Sequence, residues 1–375
     1  MKVGIMSMQR VVNYGSFLQS YSLKKNLEKM GAEVCMVDYH IEKALVSDNS
    51  KKEDKKSKLL KKISDKYFYP RKISIEILNK YMEEEWWIRQ NFVKEMLPLL
   101  GVKDERNYNP ELDVLVIGSD EVFNCLQPNP AVGYSRELFG YDNKALKLIS
   151  YAASFGNTMN EGLVKYGIYD EVRDMLSKFD GLSVRDDNSL SIVNKMNCRN
   201  VSKNVDPVFL YDYAEESRID VPESNYIIVY AYSCRITKKE ASAILSFARK
   251  HKKKIICIEG FHEYLENYVR LNPFEVLAYF RNADYIITDT FHGTVFSIKY
   301  NKQFVSIVRG GTETSYGNSA KLGDLLKTFD LEERELTKLN ELEEKMLMPI
   351  DYNSVNAKIT EEQEKAFSYL RKYVV

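Results

Sequence analysis

The segment Asp289-Thr290-Phe291-His292-Gly293-Thr294 joins an apolar run, Ala283-Asp284-Tyr285-Ile286-Ile287-Thr288, to a second one, Val295-Phe296-Ser297-Ile298. Imidazole is the side chain whose unperturbed pKa suits proton transfer near neutrality. A strand-to-helix turn is where open α/β sheets bind ligands. His292 is therefore the candidate proton-transfer group, with a capping or packed histidine as the plain alternative. The chain has four histidines, and His40, His251 and His262 lie in linker-like or lysine-rich surroundings that suit structural or solvated roles.

Other turns carry complementary chemistry. Asn13-Tyr14-Gly15-Ser16 closes a first strand and opens a helix, where free N–H groups can meet an anion or a hydroxyl. Ser16 also suits a plain helix cap, and no GxGxxG dinucleotide fingerprint is present. Gly118-Ser119-Asp120-Glu121, followed by Val122-Phe123-Asn124, sets carboxylates and an amide at a strand end, suited to sugar hydroxyls or to simple turn capping. Ser183-Val184-Arg185-Asp186 places an arginine just past a strand, for bidentate capture of a phosphate or carboxylate or for an ion pair. Asp206-Pro207 has the form of a turn device. Arg309-Gly310-Gly311 leads to Gly317-Asn318-Ser319-Ala320-Lys321, two cations and a helix start that suit an anionic ligand or form a surface loop.

The elements that position these turns alternate between strand and helix. At 375 residues the chain exceeds the roughly 250–300 at which one core stops growing, so two domains are expected. Residues 2–8, 33–38, 112–117, 148–153 and 181–184 have strand character, with helices at 16–30 and 161–179; this βα alternation predicts a parallel sheet. A second βα series starts near Tyr226. We divide the chain into 1–215, 216–355 and a C-terminal helix at 356–375 that packs back on the first domain. Residues 41–100 are rich in lysine and glutamate, including Lys51-Lys52, Lys55-Lys56 and Lys61-Lys62, and end in the aromatic residues Tyr81 and Trp86-Trp87. They read as a helical insertion over the first domain with a small satellite core. The other readings are an acceptor-binding or a peripheral membrane-surface element.

Composition narrows the function classes. Lys+Arg and Asp+Glu each total 54, so the zero net charge gives no reason to expect a nucleic-acid partner. The five scattered cysteines form no CxxC or Cys/His cluster, so neither a disulfide framework nor a metal site is expected. A strand-like start without a signal-peptide core, and no run of 18 apolar residues, lead to the expectation of a cytoplasmic protein without a transmembrane segment.

Taken in order, Asn13–Ser16, Gly118–Asn124, Ser150-Tyr151-Ala152-Ala153-Ser154-Phe155-Gly156, Ser183–Asp186, Asp206-Pro207, Asn272-Pro273-Phe274-Glu275-Val276-Leu277, the Ala283–Gly293 stretch and Asn318-Ser319 resemble the polysaccharide pyruvyl transferase family. The resemblance covers residues 1–40 and 110–330. It implies two Rossmann-like domains in a GT-B-like arrangement, with the active site in the interdomain cleft. It further implies transfer of pyruvate from phosphoenolpyruvate to two hydroxyls of a glycan or lipid-linked precursor, giving a cyclic ketal, with no cofactor and no metal. On this basis His292 is the acid and Arg185 the donor-binding arginine. Thr290, Phe291, Gly293, Arg309, Ser319 and Lys321 complete the donor side. Asn13, Gly15, Ser16, Gly118, Ser119, Asp120 and Asn124 form the acceptor side. Where Lys321 stands the family commonly has arginine, so the charge is kept and the bidentate geometry is lost. Two Rossmann-like domains also permit a nucleotide-sugar glycosyltransferase or a non-catalytic sugar- or anion-binding protein.

Overall fold

A computed structural model describes residues 1–46, 72–310 and 318–374. The lysine pairs of the insertion, together with Gly311 and Gly317, lie outside the described residues.

Two all-parallel sheets form the frame. The first contains β1 (Lys2–Met6), β2 (Glu33–Met36), β3 (Val114–Asp120), β4 (Lys147–Ala153), β5 (Leu182–Val184) and β6 (Val201–Lys203), in the order β2-β1-β3-β4-β5-β6. The second contains β7 (Tyr226–Tyr230), β8 (Lys254–Ile258), β9 (Tyr285–Thr288), β10 (Gln303–Ile307) and β11 (Glu335–Leu336), in the order β11-β10-β9-β7-β8. Central strands such as Val114–Asp120 and Tyr226–Tyr230 are buried at every residue. That is why they read as continuous apolar runs rather than as alternating patterns.

Helices connect the strands: α1 (Tyr14–Lys29), α2 (Ile75–Asn91), α3 (Leu97–Leu100), α4 (Asn160–Lys165), α5 (Tyr169–Leu176), α6 (Asp187–Lys195), α7 (Lys238–Lys250), α8 (Pro273–Asn282), α9 (Phe291–Lys299), α10 (Ser319–Thr328), α11 (Leu342–Leu347) and α12 (Tyr352–Val374). Their starts are chemically marked. Asn13 accepts from Ser16 N–H at the head of α1, and Asn272 and Glu275 form a capping box around Pro273 at the head of α8. The single helix expected at 161–179 is two, α4 and α5, because Gly167 takes φ 70° between them.

The insertion differs from the expectation of a cap over the first domain. Helix α2 continues through a π-helical turn, Phe92–Met96, into α3. Phe92 packs edge-on against Phe17 of α1. On the second-sheet side, Asn267 N–H donates to Tyr81 Oη (2.9 Å), Ser233 Oγ to Glu85 (3.1 Å), and Ile73 N–H to the Glu263 carbonyl (2.9 Å). The insertion therefore bridges both halves. Tyr81 is buried, but Trp86 and Trp87 are 63% and 44% exposed, so the tryptophans do not form the expected satellite core. The long α12 donates from Tyr369 Oη to the Ser150 carbonyl (2.8 Å), tying it to the first sheet. No helix among the described residues is long and apolar enough to cross a membrane.

Candidate active site

The carboxyl ends of the two sheets face each other across a cleft. From the first sheet come α1, the end of β3, Arg185 just past β5, and Asp206 just past β6. From the second come the start of α9, Glu259 just past β8, and α10.

His292 is the second residue of α9 and is 8% exposed. Thr290 caps this helix by accepting from Gly293 N–H at 2.9 Å. The glycine beside the histidine serves close packing, since a Cβ there would overlap the Thr288 hydroxyl. Gly15 of α1 has the same kind of requirement: a Cβ would fall on the His292 ring itself. The bare backbone of one half thus receives the imidazole of the other.

Asp206 links the two principal candidates. Its Oδ2 accepts from Arg185 Nη1 at 2.9 Å and lies 3.6 Å from His292 Nε2. Burial alone would raise this carboxyl, but His292, Arg185 and the Val208 N–H outweigh it and hold Asp206 below the usual carboxylate range. Arg185, 6% exposed, stacks over the Phe291 ring at 4.0 Å and lies 3.7 Å from Asp120 Oδ1. Arg185 Nε and His292 Nε2 are buried polar atoms without a hydrogen-bond partner. Unsatisfied groups of this kind are uncommon in folded proteins and require an explanation.

Asp120 has φ 75°, a left-handed conformation that costs about 1–3 kcal/mol for a residue with a Cβ and that clusters at functional sites. Its Oδ2 accepts from Ser16 Oγ at 2.6 Å. The adjacent Glu121 accepts from Lys321 Nζ of α10 (2.6 Å) and from Asn124 Nδ2 (2.8 Å). Burial opposes ionisation of Glu121, yet Lys321, with help from Arg185, brings its pKa down to about 2. Arg185, His292, Lys321, Asp120, Ser16 and Asn124 therefore belong to one connected cluster.

Other candidates lie outside the Asp206 cluster. Ser119 is fully buried and donates to the Ala152 carbonyl (2.8 Å), and a Cβ at Gly118 would overlap the Tyr151 carbonyl. Arg309 is bound to Asp289 and Glu240, each at 2.9 Å, and Asn318 joins its backbone to that of Asp289. Arg309 thus steadies the turn before His292 rather than joining the Asp206 cluster. Ser319 is exposed at the start of α10.

Two roles were not apparent in the sequence. Asp206 looks like a turn residue before proline, and it does cap a short turn by accepting from Val208 N–H (3.0 Å). Glu259, φ 74°, accepts from Asn13 Nδ2 and Tyr230 Oη, both at 2.9 Å. Burial pushes its pKa up to about 7, against the opposing effects of Tyr230 and His292. Only its place at the end of a βα strand could have singled it out. His262, expected to be structural or solvated, is fully buried, and burial lowers its pKa to about 3.

Beside Arg185 and Phe291 opens a cavity of about 260 Å³ whose wall includes Lys203, Asp324 and Lys365. Lys203 pairs with Asp187 (2.7 Å) and Asp324 (2.6 Å), and Lys365 with Glu362 (2.8 Å). Its cations are held by carboxylates, so an entering anion would exchange one set of partners for another. Among the described residues, no group of three or more His, Cys, Asp or Glu side chains is placed to hold a metal ion.

Solved structures similar to this chain include the S. aureus MnaA–UDP complex (11% identity, TM-score 0.46, 99% of this chain and 91% of that one). A UDP-N-acetylglucosamine 2-epimerase described as putative from Listeria monocytogenes gives 11% identity and TM-score 0.47, covering 98% of this chain and 90% of that one. The Methanocaldococcus jannaschii UDP-GlcNAc 2-epimerase complexed with UDP-GlcNAc and UDP gives 12% and 0.46, covering 99% and 100%. Likenesses this distant carry no functional argument. No curated protein sequence matches this chain. The sequence profile of the polysaccharide pyruvyl transferase family, by contrast, matches residues 13–311, a span from the first residue of the α1 cap to just past Arg309 that includes Arg185, Asp206 and His292. The chain belongs to the polysaccharide pyruvyl transferase family.

Proposed function

We propose that this protein transfers pyruvate from phosphoenolpyruvate to two hydroxyls of a glycan or lipid-linked glycan precursor, forming a cyclic ketal in the synthesis of a cell-surface polysaccharide. It acts in the cytoplasm, with peripheral contact at the inner membrane face where the acceptor is lipid-linked. The observation that carries this reading is the shared carboxylate of Asp206, which holds Arg185 and His292 from opposite halves of the molecule at one point.

The chemistry follows from that arrangement. His292 donates a proton to the methylene carbon of phosphoenolpyruvate, making a methyl group and an oxocarbenium-like centre at the adjacent carbon. One acceptor hydroxyl adds to this centre and its proton restores the histidine. The second hydroxyl adds as the C–O bond to phosphate breaks, and its proton leaves with the phosphate. Arg185, with its free Nε and a flat seat on Phe291, meets the donor's carboxylate or phosphate, and Lys321 supports the same charge. Asp206 holds the imidazole and guanidinium in register, and Asp120 and Ser16 receive acceptor hydroxyls.

Incubation with phosphoenolpyruvate and a panel of galactosides and N-acetylmannosaminides tests the reading: phosphate release matched by a pyruvate mass on the acceptor is expected. Silence across the panel, combined with thermal stabilisation by nucleotide diphosphates and none by phosphoenolpyruvate, would instead favour a nucleotide-sugar glycosyltransferase.

A further inference from the structure

The bridging insertion builds a second cavity, of about 240 Å³, between its own surface and the segment leading into α8. One wall is Trp87, Asn91 and Glu95, the other Arg270 and Glu275. The Arg270 guanidinium lies over the Trp87 ring at 3.6 Å, yet Trp87 stays 44% exposed. Among the described residues, neither Arg270 nor Glu95 has an ion-pair or hydrogen-bond partner. Asn91 Nδ2 donates to the Trp87 carbonyl (3.1 Å) and Glu275 uses Oε2 to cap α8 (2.6 Å), which leaves Asn91 Oδ1 and Glu275 Oε1 for a ligand. The wall is shaped by the π-helical turn Phe92–Met96, a departure from α geometry frequent at functional sites.

A half-exposed tryptophan with a planar donor stacked on one face and several acceptor oxygens nearby matches the chemistry of a sugar ring, which has apolar C–H faces and hydroxyls at its edge. The volume lies just under the roughly 300–1,000 Å³ of drug-sized ligand sites, which suits one sugar unit. The cavity also adjoins the cleft across a shared wall. Ile88 lines both this cavity and a small gap bounded by Asn13, Tyr14 and Glu259, and Tyr14 Oη donates to the carbonyl of Leu271, next to Arg270 (2.8 Å).

We propose that the Trp87–Arg270 cavity is a saccharide subsite that holds a unit of the acceptor chain beyond the unit being modified. The inference rests on the glycan-acceptor reading above and gives the insertion a role: it measures acceptor length. A glycan array bearing galactose- and N-acetylmannosamine-containing chains of one to four units tests it, probed with the full-length wild type, Trp87→Ala and the double variant Glu95→Gln/Arg270→Gln. The wild type should bind longer chains at least about 10-fold more tightly than single units, the scale of one stacked ring with its hydrogen bonds. Both variants should lose that advantage while melting within a few degrees of the wild type. The double variant, confined to groups that make no ion pair or hydrogen bond among the described residues, keeps the test decisive if Trp87→Ala does not fold. A wild type without a length preference, or a preference that survives in the folded variants, overturns the subsite. Phosphate release from phosphoenolpyruvate, followed separately, distinguishes the two ideas. Turnover without length preference removes the subsite alone, and a Trp87-dependent preference without turnover removes the transferase reading alone.

Discussion

In the proposed reaction, Asp206 is the residue that joins the two principal groups. A buried carboxylate held below its usual range stays charged, so it can bond a guanidinium at 2.9 Å while facing an imidazole at 3.6 Å. His292→Ala should lower kcat by about 100-fold or more, the scale of lost general-acid help, with phosphoenolpyruvate affinity largely kept by Arg185. Single-turnover kinetics beside donor-binding titration check this, and wild-type turnover in the variant would remove His292 from the mechanism. The place of His292 at a strand-to-helix turn was legible in the sequence, because the imidazole follows a β-branched strand and precedes a glycine. Asp206 was not, because the same Asp-Pro pair makes a turn whether or not its second oxygen faces a cleft. Glu259 was illegible for a similar reason: its raised pKa comes from burial between halves more than 200 residues apart, illustrated by its bond to Asn13, 246 residues earlier in the chain.

At the scale of elements, the meeting of α1 and α9 decides whether the site assembles. Gly15 sits where any Cβ would fall on the His292 ring. Gly15→Ala should therefore displace the imidazole and cut kcat by about 10- to 100-fold, since an error of about 1 Å in a reacting group can cost that much. Stability should fall less than activity, because alanine is favoured over glycine inside a helix by about 1 kcal/mol, which offsets part of the clash. Melting curves run beside kinetics separate the two effects; equal losses in both would make Gly15 a mere packing residue. The strands were legible because fully buried parallel strands are written as unbroken apolar runs. The split between α4 and α5 needed the positive φ of Gly167, and the π-helical turn has no sequence signature that distinguishes it from α-helix.

At the scale of the whole molecule, the halves are joined by charges that also make them sensitive to pH. Glu259 has a folded-state pKa raised to about 7 from an ordinary value near 4.5. A raised acid adds stability below its unfolded pKa and loses it as pH rises through the folded value. The window is therefore about pH 4.5 to 7. Glu259→Gln, neutral throughout, should be more stable than wild type at pH 8 by about 1–3 kcal/mol, with the advantage vanishing near pH 4. Denaturant melts at both pH values check the sign, and an advantage unchanged between them would mean that Glu259 does not titrate in this window. The α/β class was legible from the order of elements, but which surfaces the insertion joins was not. Its Tyr81 and Glu85 find partners near residues 233 and 267, contacts that no local pattern encodes.

The central claim is that a protein acid delivers a proton to the methylene carbon of phosphoenolpyruvate. Running the reaction in deuterium oxide and analysing the product by mass spectrometry and proton NMR measures that step. The account predicts a pyruvate ketal whose methyl group carries one deuterium, formed together with inorganic phosphate, with the yield collapsing in His292→Ala. A product that keeps an unsaturated methylene, or phosphate retained on the acceptor, would contradict it.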